Sequence, residues 1–116
     1  MSDQETTLAQ LRAAVQRFVD ERDWRQFHSP KNLSMAIAIE SAELMEHFQW
    51  LGSEESQEVR SSPESMLQVR EELADILCFA LSFANALDID ISSAVADKLV
   101  KNAQKYPADR YRGRFR

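Results

Sequence analysis

Apolar residues recur along this chain at intervals of three and four, in four helical segments, and no stretch makes a convincing strand. Leu8, Leu11, Val15, Phe18 and Val19 fall on one stripe, which predicts a first helix over about residues 5–22, with Ser2 and Glu5 as a capping box. A short segment, 23–29, carries Trp24, Phe27 and His28. Ser29-Pro30 is a helix-start signal, serine as N-cap and proline in the first turn, and opens a second helix reaching about Phe48. Gly52 and the polar stretch 53–61 read as a loop. Ser62-Pro63 repeats the start signal for a third helix over 63–87, where Val69, Leu73, Ile76, Ala80, Phe83 and Leu87 trace a bundle seam. Asp90 caps a fourth helix over 91–105, with Ile91, Val95 and Leu99 expected inward. Pro107 follows where a helix ends.

The expected fold is therefore all-α: a four-helix bundle, the second and third helices forming its antiparallel core pair. Two glycines and three prolines in 116 residues leave few breakers, in keeping with long helices and one domain. Residues 1–109 form that domain, and 110–116, with four arginines, read as a flexible basic tail. Helices this amphipathic in so short a chain commonly finish their burial by oligomerising.

Charge and cysteine content exclude several classes. A net charge of −5 disfavours a general nucleic-acid binder, which needs a basic surface to neutralise phosphates. No apolar run approaches the ~20 residues of a membrane span, and the N-terminus lacks the apolar core of a secretory signal. Cys78 is the sole cysteine, so no intrachain disulfide forms; it is expected to be a small buried residue without a nucleophilic role. A cytoplasmic protein is expected, without nucleic-acid or membrane partners.

The chemistry lies in two pairs of acids. Glu40-x-x-Glu43 interrupts the apolar run MAIAIESAELM, and Glu72-x-x-Asp75 interrupts EELADILCFAL. Residues three apart on a helix point about 60° apart, so each pair shares a face. Glu40 takes a core position on the stripe Leu33, Ile37, Glu40, Leu44. Converging carboxylates repel one another unless a cation sits among them, and hard oxygen ligands favour Mg²⁺ or Mn²⁺. The alternative is that these acids are solvated or paired with Arg70 or a lysine. A di-iron site requires Glu-x-x-His; His47 is four residues from Glu43, and the third helix has no histidine. His47 lies one heptad from Glu40 and is read as a surface or supporting residue.

Two further clusters accompany the acids. Trp24, Phe27, His28 and Trp50 bracket the second helix; they suit walls for a nucleobase, or else core or oligomer contacts. Lys98, Asn102 and Lys105 share a face of the last helix, followed by Tyr106, and Lys31 opens the second. Such a face grips phosphates or is simply solvated. The tail arginines either remain free or close over phosphates.

With the stretches ERDWRQFHSPKNL, IESAELMEHFQW, REELADIL and DKLVKNAQKYP in this order, the chain resembles the MazG-like all-α nucleoside triphosphate pyrophosphohydrolases, most closely their dCTP pyrophosphatase branch. The resemblance spans about residues 11–107. It implies Mg²⁺ held by Glu40, Glu43, Glu72 and Asp75, with Glu40 or Glu43 as general base. It implies a base pocket around Trp24, His28 and Trp50, and a phosphate and sugar side around Lys31, Lys98, Asn102, Lys105 and Tyr106. It also implies a homotetramer built from dimers, with sites near subunit interfaces. The chain departs from the family at Ile39-Glu40-Ser41, where many members have Gly-Glu-Glu, and at Phe79, where that branch can carry a tyrosine near the nucleotide. The expected activity is hydrolysis of dCTP, or a modified dCTP, to the monophosphate and pyrophosphate. A related activity on dUTP, another nucleoside triphosphate or phosphoribosyl-ATP is the alternative within enzymes. A non-catalytic nucleotide-binding or oligomerisation module is the alternative outside them.

Overall fold

The computed structural model describes residues 1–116 and contains helices and turns with no strand. Four long helices carry the architecture: α1 (Leu8–Glu21), α2 (Pro30–Glu46), α4 (Pro63–Leu87) and α5 (Ile91–Lys105). Two single-turn helices, α3 (Ser53–Ser56) and α6 (Ala108–Tyr111), and two 3₁₀ turns, Arg25–Phe27 and Gln57–Ser61, fill the connections.

Side-chain caps determine where the long helices begin. Thr7, Ser29, Ser62 and Asp90 each accept a hydrogen bond from the backbone N–H three residues on, at 3.2, 3.1, 3.3 and 2.9 Å. Pro30 and Pro63 stand in the first turn, where a missing N–H costs nothing. The expected Ser2–Glu5 box is not the cap of α1: Thr7 and Gln10 form the reciprocal box, and the helix starts at Leu8. Thr7 offers the same chemistry directly before the apolar stripe. The stretch 53–61, expected as loop, is instead wound into α3 and a 3₁₀ turn, with Glu55 reaching back to the Gly52 N–H.

The body is α1, α2 and α4, with α2 against α4 the most extensive pairing and α1 laid on α4. His28 faces Phe79 and His47 faces Glu72, so α2 and α4 run antiparallel. Val19, Leu33, Leu81 and Ala84 are the buried apolar residues, with Leu33 only 1% exposed. On α2 the stripe Leu33, Ile37, Glu40, Leu44 does face inward, and Glu40 is half-buried within it.

α5 departs from expectation. Asp88 closes α4 in the left-handed region (φ 53°), a conformation that aspartate tolerates, and α5 leaves at 100° to α4. Arg12 and Asn85 secure this corner. The Arg12 Nε donates to Asn85 Oδ1 at 3.0 Å, Asn85 Nδ2 donates to the Arg12 carbonyl at 3.1 Å, and the guanidinium also reaches the Ile89 carbonyl. As a result α5 packs along no other helix of its own chain. Val95 and Leu99, expected inward, are exposed because nothing lies across from them. The radius of gyration, 17.2 Å, exceeds the ~13.4 Å of a compact domain of this length. No single helix is long and apolar enough to cross a membrane.

Candidate functional site

The antiparallel pairing of α2 and α4 brings three of the four acids together. Carboxylate oxygens of Glu40, Glu43 and Glu72 lie within 4.8 Å of one another, a spacing that one cation can span. Asp75 lies one turn along α4, and its charge acts on both Glu40 and Glu72. No lysine or arginine comes within 4.0 Å of any of the four, so pairing with Arg70 or a lysine is not what holds them. Glu40 Oε2 and Glu72 Oε2 are buried without a hydrogen-bond partner. Burial pushes the Glu40 carboxyl up to about 7, and the charges of Glu43, Asp75 and Glu72 add to the push. Glu72 is raised as well, by burial first and Glu43 next, while His47 pulls it down. Orphaned buried oxygens and acids strained towards neutrality mark a site short of positive charge. The donor set fits a hard divalent cation such as Mg²⁺ or Mn²⁺.

Beside the acids opens a cavity of about 500 Å³, walled mainly by apolar groups. Trp24, His28 and Phe79 form its aromatic side, with ring centroids 6.3 Å apart for Trp24–His28 and for His28–Phe79. Phe18 meets the Trp24 ring edge-on at 5.7 Å. Asp75 also lines this cavity and so joins it to the acid cluster.

The other candidates fall elsewhere. Trp50 lies in the turn after α2, 87% exposed and outside the cavity wall. Lys31 is exposed on the first turn of α2. Lys98, Asn102 and Lys105 ride on α5, away from their own helical body, with Lys105 Nζ 5.3 Å from the Tyr106 ring centre. Tyr106 in turn meets Tyr111 of α6 edge-on. Cys78 is exposed rather than buried, and lines the cavity.

Sequence reasoning missed the α1 wall of the cavity, Ala14, Val15 and Phe18, together with Ser82. Their helical stripe was legible, but the helix they would face was not. It also left His47 without a partner, and the structure supplies one: His47 Nε2 stands 3.8 Å from Glu72 Oε1.

An all-α body whose central helix pair carries an acid cluster beside an aromatic-walled cavity is the frame of the site. The chain belongs to the MazG-like family, whose model matches residues 35–114. It is 39% identical over 109 residues to dCTP pyrophosphatase 1 of Bos taurus, an alignment covering 94% of this chain and 64% of that protein. The human protein of the same name is 38% identical over 104 residues, covering 90% of this chain and 61% of that protein. The chain thus spans less than two thirds of the length of these curated relatives. A crystal structure of a pyrophosphatase from Archaeoglobus fulgidus superimposes with a TM-score of 0.80 at 37% identity, covering 92% of this chain and 98% of that one.

Proposed function

We propose that this protein is a Mg²⁺-dependent nucleoside triphosphate pyrophosphohydrolase that converts dCTP, or a modified dCTP, to the monophosphate and pyrophosphate. The observation that carries the proposal is the acid cluster of Glu40, Glu43 and Glu72, paired with no lysine or arginine and joined through Asp75 to an aromatic-walled cavity of about 500 Å³. Cytosine as the base rests on the relatives named dCTP pyrophosphatase 1.

In this proposal Glu40, Glu43, Glu72 and Asp75 hold the cation. A bound Mg²⁺ supplies the missing positive charge, offsetting the carboxylates and the triphosphate oxygens alike. Trp24, His28 and Phe79 bind the base by stacking; Phe79 lacks a hydroxyl and contributes area without a hydrogen bond. Glu40 or Glu43 takes a proton from water as its oxygen attacks the α-phosphorus. The bond from the α-phosphorus to the bridging oxygen breaks, and pyrophosphate leaves with that oxygen. Positioning and electrostatics carry the catalysis, with no covalent intermediate.

Lys31, Lys98, Asn102, Lys105 and Tyr106 serve the phosphates and sugar. Because α5 stands off its own body, this role is coupled to assembly, as a homotetramer built from dimers with sites near the interfaces. A chain with one cysteine and no disulfide suits the cytoplasm, where nucleotide pools are held.

The decisive experiment is a panel of nucleoside triphosphates assayed for pyrophosphate release with and without Mg²⁺. Fastest turnover is expected with dCTP or a modified dCTP and Mg²⁺, and Glu40→Gln or Asp75→Asn should abolish it while leaving helicity intact. Mg²⁺-independent turnover, or full activity in either variant, would refute the assignment. Tight nucleotide binding without pyrophosphate release would leave a non-catalytic nucleotide-binding module.

A further inference from the structure

The one basic side chain in contact with the acid cluster is His47. α2 winds as far as Glu46 and His47 caps its end, its N–H donating to the Leu44 and Met45 carbonyls. It stands four residues after Glu43 and seven after Glu40, on the same stripe as both. Its Nε2 is 3.8 Å from Glu72 Oε1, and both side chains are largely covered, 29% and 22% exposed. The other oxygen of the same carboxylate, Glu72 Oε2, is buried and has no partner. The imidazole nitrogen is not among the donor atoms that share the 4.8 Å cluster. His47 therefore touches a candidate ligand and not the space the ligands enclose.

We infer that His47 is a positioning residue for Glu72, steadying Oε1 from outside so that Oε2 faces the cation position. The inference rests on the metal-site proposal above. The physical need is plain. Glu72 has Glu43 and Asp75 as like-charged neighbours, and without a counter-group its side chain gains by swinging towards water. A carboxylate held in place before the cation arrives costs less order on binding. Outer partners of this kind typically change metal affinity 10- to 100-fold when removed.

The test is calorimetric titration of Mn²⁺ into the full chain without nucleotide, comparing the parent with His47→Leu and His47→Gln, with helicity followed by circular dichroism. His47→Leu keeps bulk and removes the polar group; its Mn²⁺ affinity should fall by about tenfold or more. His47→Gln restores an N–H of similar reach and should recover most of the loss. Electron spin-echo spectra of the bound Mn²⁺ should show no nitrogen coupling from His47. Should His47→Leu lose its helical signal, His47→Ala takes its place in the comparison. Unchanged affinity in His47→Leu overturns the inference, as does equal loss in His47→Leu and His47→Gln. Nitrogen coupling in the parent that vanishes in His47→Gln overturns it too, by making His47 a direct ligand. If the parent binds no Mn²⁺ at all, the metal-site proposal itself fails, a result distinct from any of these.

Discussion

Leu99→Asp should dissolve the proposed assembly and, with it, the proposed activity. Leu99 is 62% exposed on α5, beside the equally unpartnered Val95 and Val100. The protomer exposes 9404 Å², whereas a compact monomer of 13.3 kDa exposes about 6,450 Å². The difference, about 2,950 Å² per protomer, far exceeds the ~800 Å² per partner of a standard stable interface. Burying a leucine contributes about 1.5–3 kcal/mol, and an aspartate in its place adds an unpaired charge to the interface. In a two-fold interface the change occurs twice. A loss of about 4 kcal/mol or more follows, which is roughly a thousandfold in the dissociation constant. Sedimentation velocity at micromolar protein reads the mass directly. The parent should sediment as a multimer and Leu99→Asp as a lone protomer with little pyrophosphate release, because Lys98, Asn102 and Lys105 ride on the same helix. A parent that sediments at the 13.3 kDa of a single chain while turning over nucleotide would refute the reasoning.

Trp50 lies outside the cavity wall of its own chain, so it can stack on the base only from a neighbouring subunit of the proposed assembly. If it does, Trp50→Ala should raise KM for the preferred nucleotide by about 5- to 150-fold, the ~1–3 kcal/mol of a base–aromatic stack, while folding stability changes by under about 0.5 kcal/mol, since the side chain is 87% exposed. An unchanged KM with a reduced sedimentation mass would make Trp50 an interface residue instead. The metal-free protein should lose thermal stability as pH rises from about 4.5 to about 7. Glu40 is raised in the folded chain, so the native state retains a proton that the unfolded state releases; the stabilisation is complete below the unfolded pKa and is lost as pH rises through the folded one. Melting curves in chelator across this range check the sign, and saturating Mg²⁺ should flatten or reverse the slope.

Much of this architecture is legible in the sequence because it is local. Ser29-Pro30, Ser62-Pro63 and Asp90 mark three of the four long helices, and each begins where its cap chemistry says. The errors also have local causes: Thr7 competed with Ser2 for the same capping role, and Glu55 supplied a helical turn in a stretch that reads as loop. The larger misreading concerned α5. Periodicity shows that Ile91, Val95 and Leu99 share a face but cannot say what covers it; a left-handed Asp88 and the Arg12–Asn85 clamp, residues 73 apart, decide that it is not this chain's own body. The site divides along the same line. The acid pairs are visible as charges inside apolar runs, whereas the α1 wall of the cavity and the His47–Glu72 contact depend on how helices meet.

The acid cluster occupies the interface that most holds this body together. Leu33 packs towards one end of α2, while Glu40 and Glu43 meet Glu72 further along the same pairing with α4. Apolar residues at these positions would stabilise α2 against α4; buried acids without partners oppose that contact. A cation bound between the helices, as proposed, would replace mutual repulsion with ligation on both sides, so that binding and helix pairing would become one equilibrium. At a hundredfold excess over its dissociation constant, a ligand specific for the native state adds about 2.7 kcal/mol. That is a large share of the stability of a body with four buried apolar residues. A metal bound at the proposed site would thus be tied to the geometry of the α2–α4 pair as well as to chemistry. His47, reaching across from the end of α2 to a carboxylate on α4, supports the same contact from the protein side.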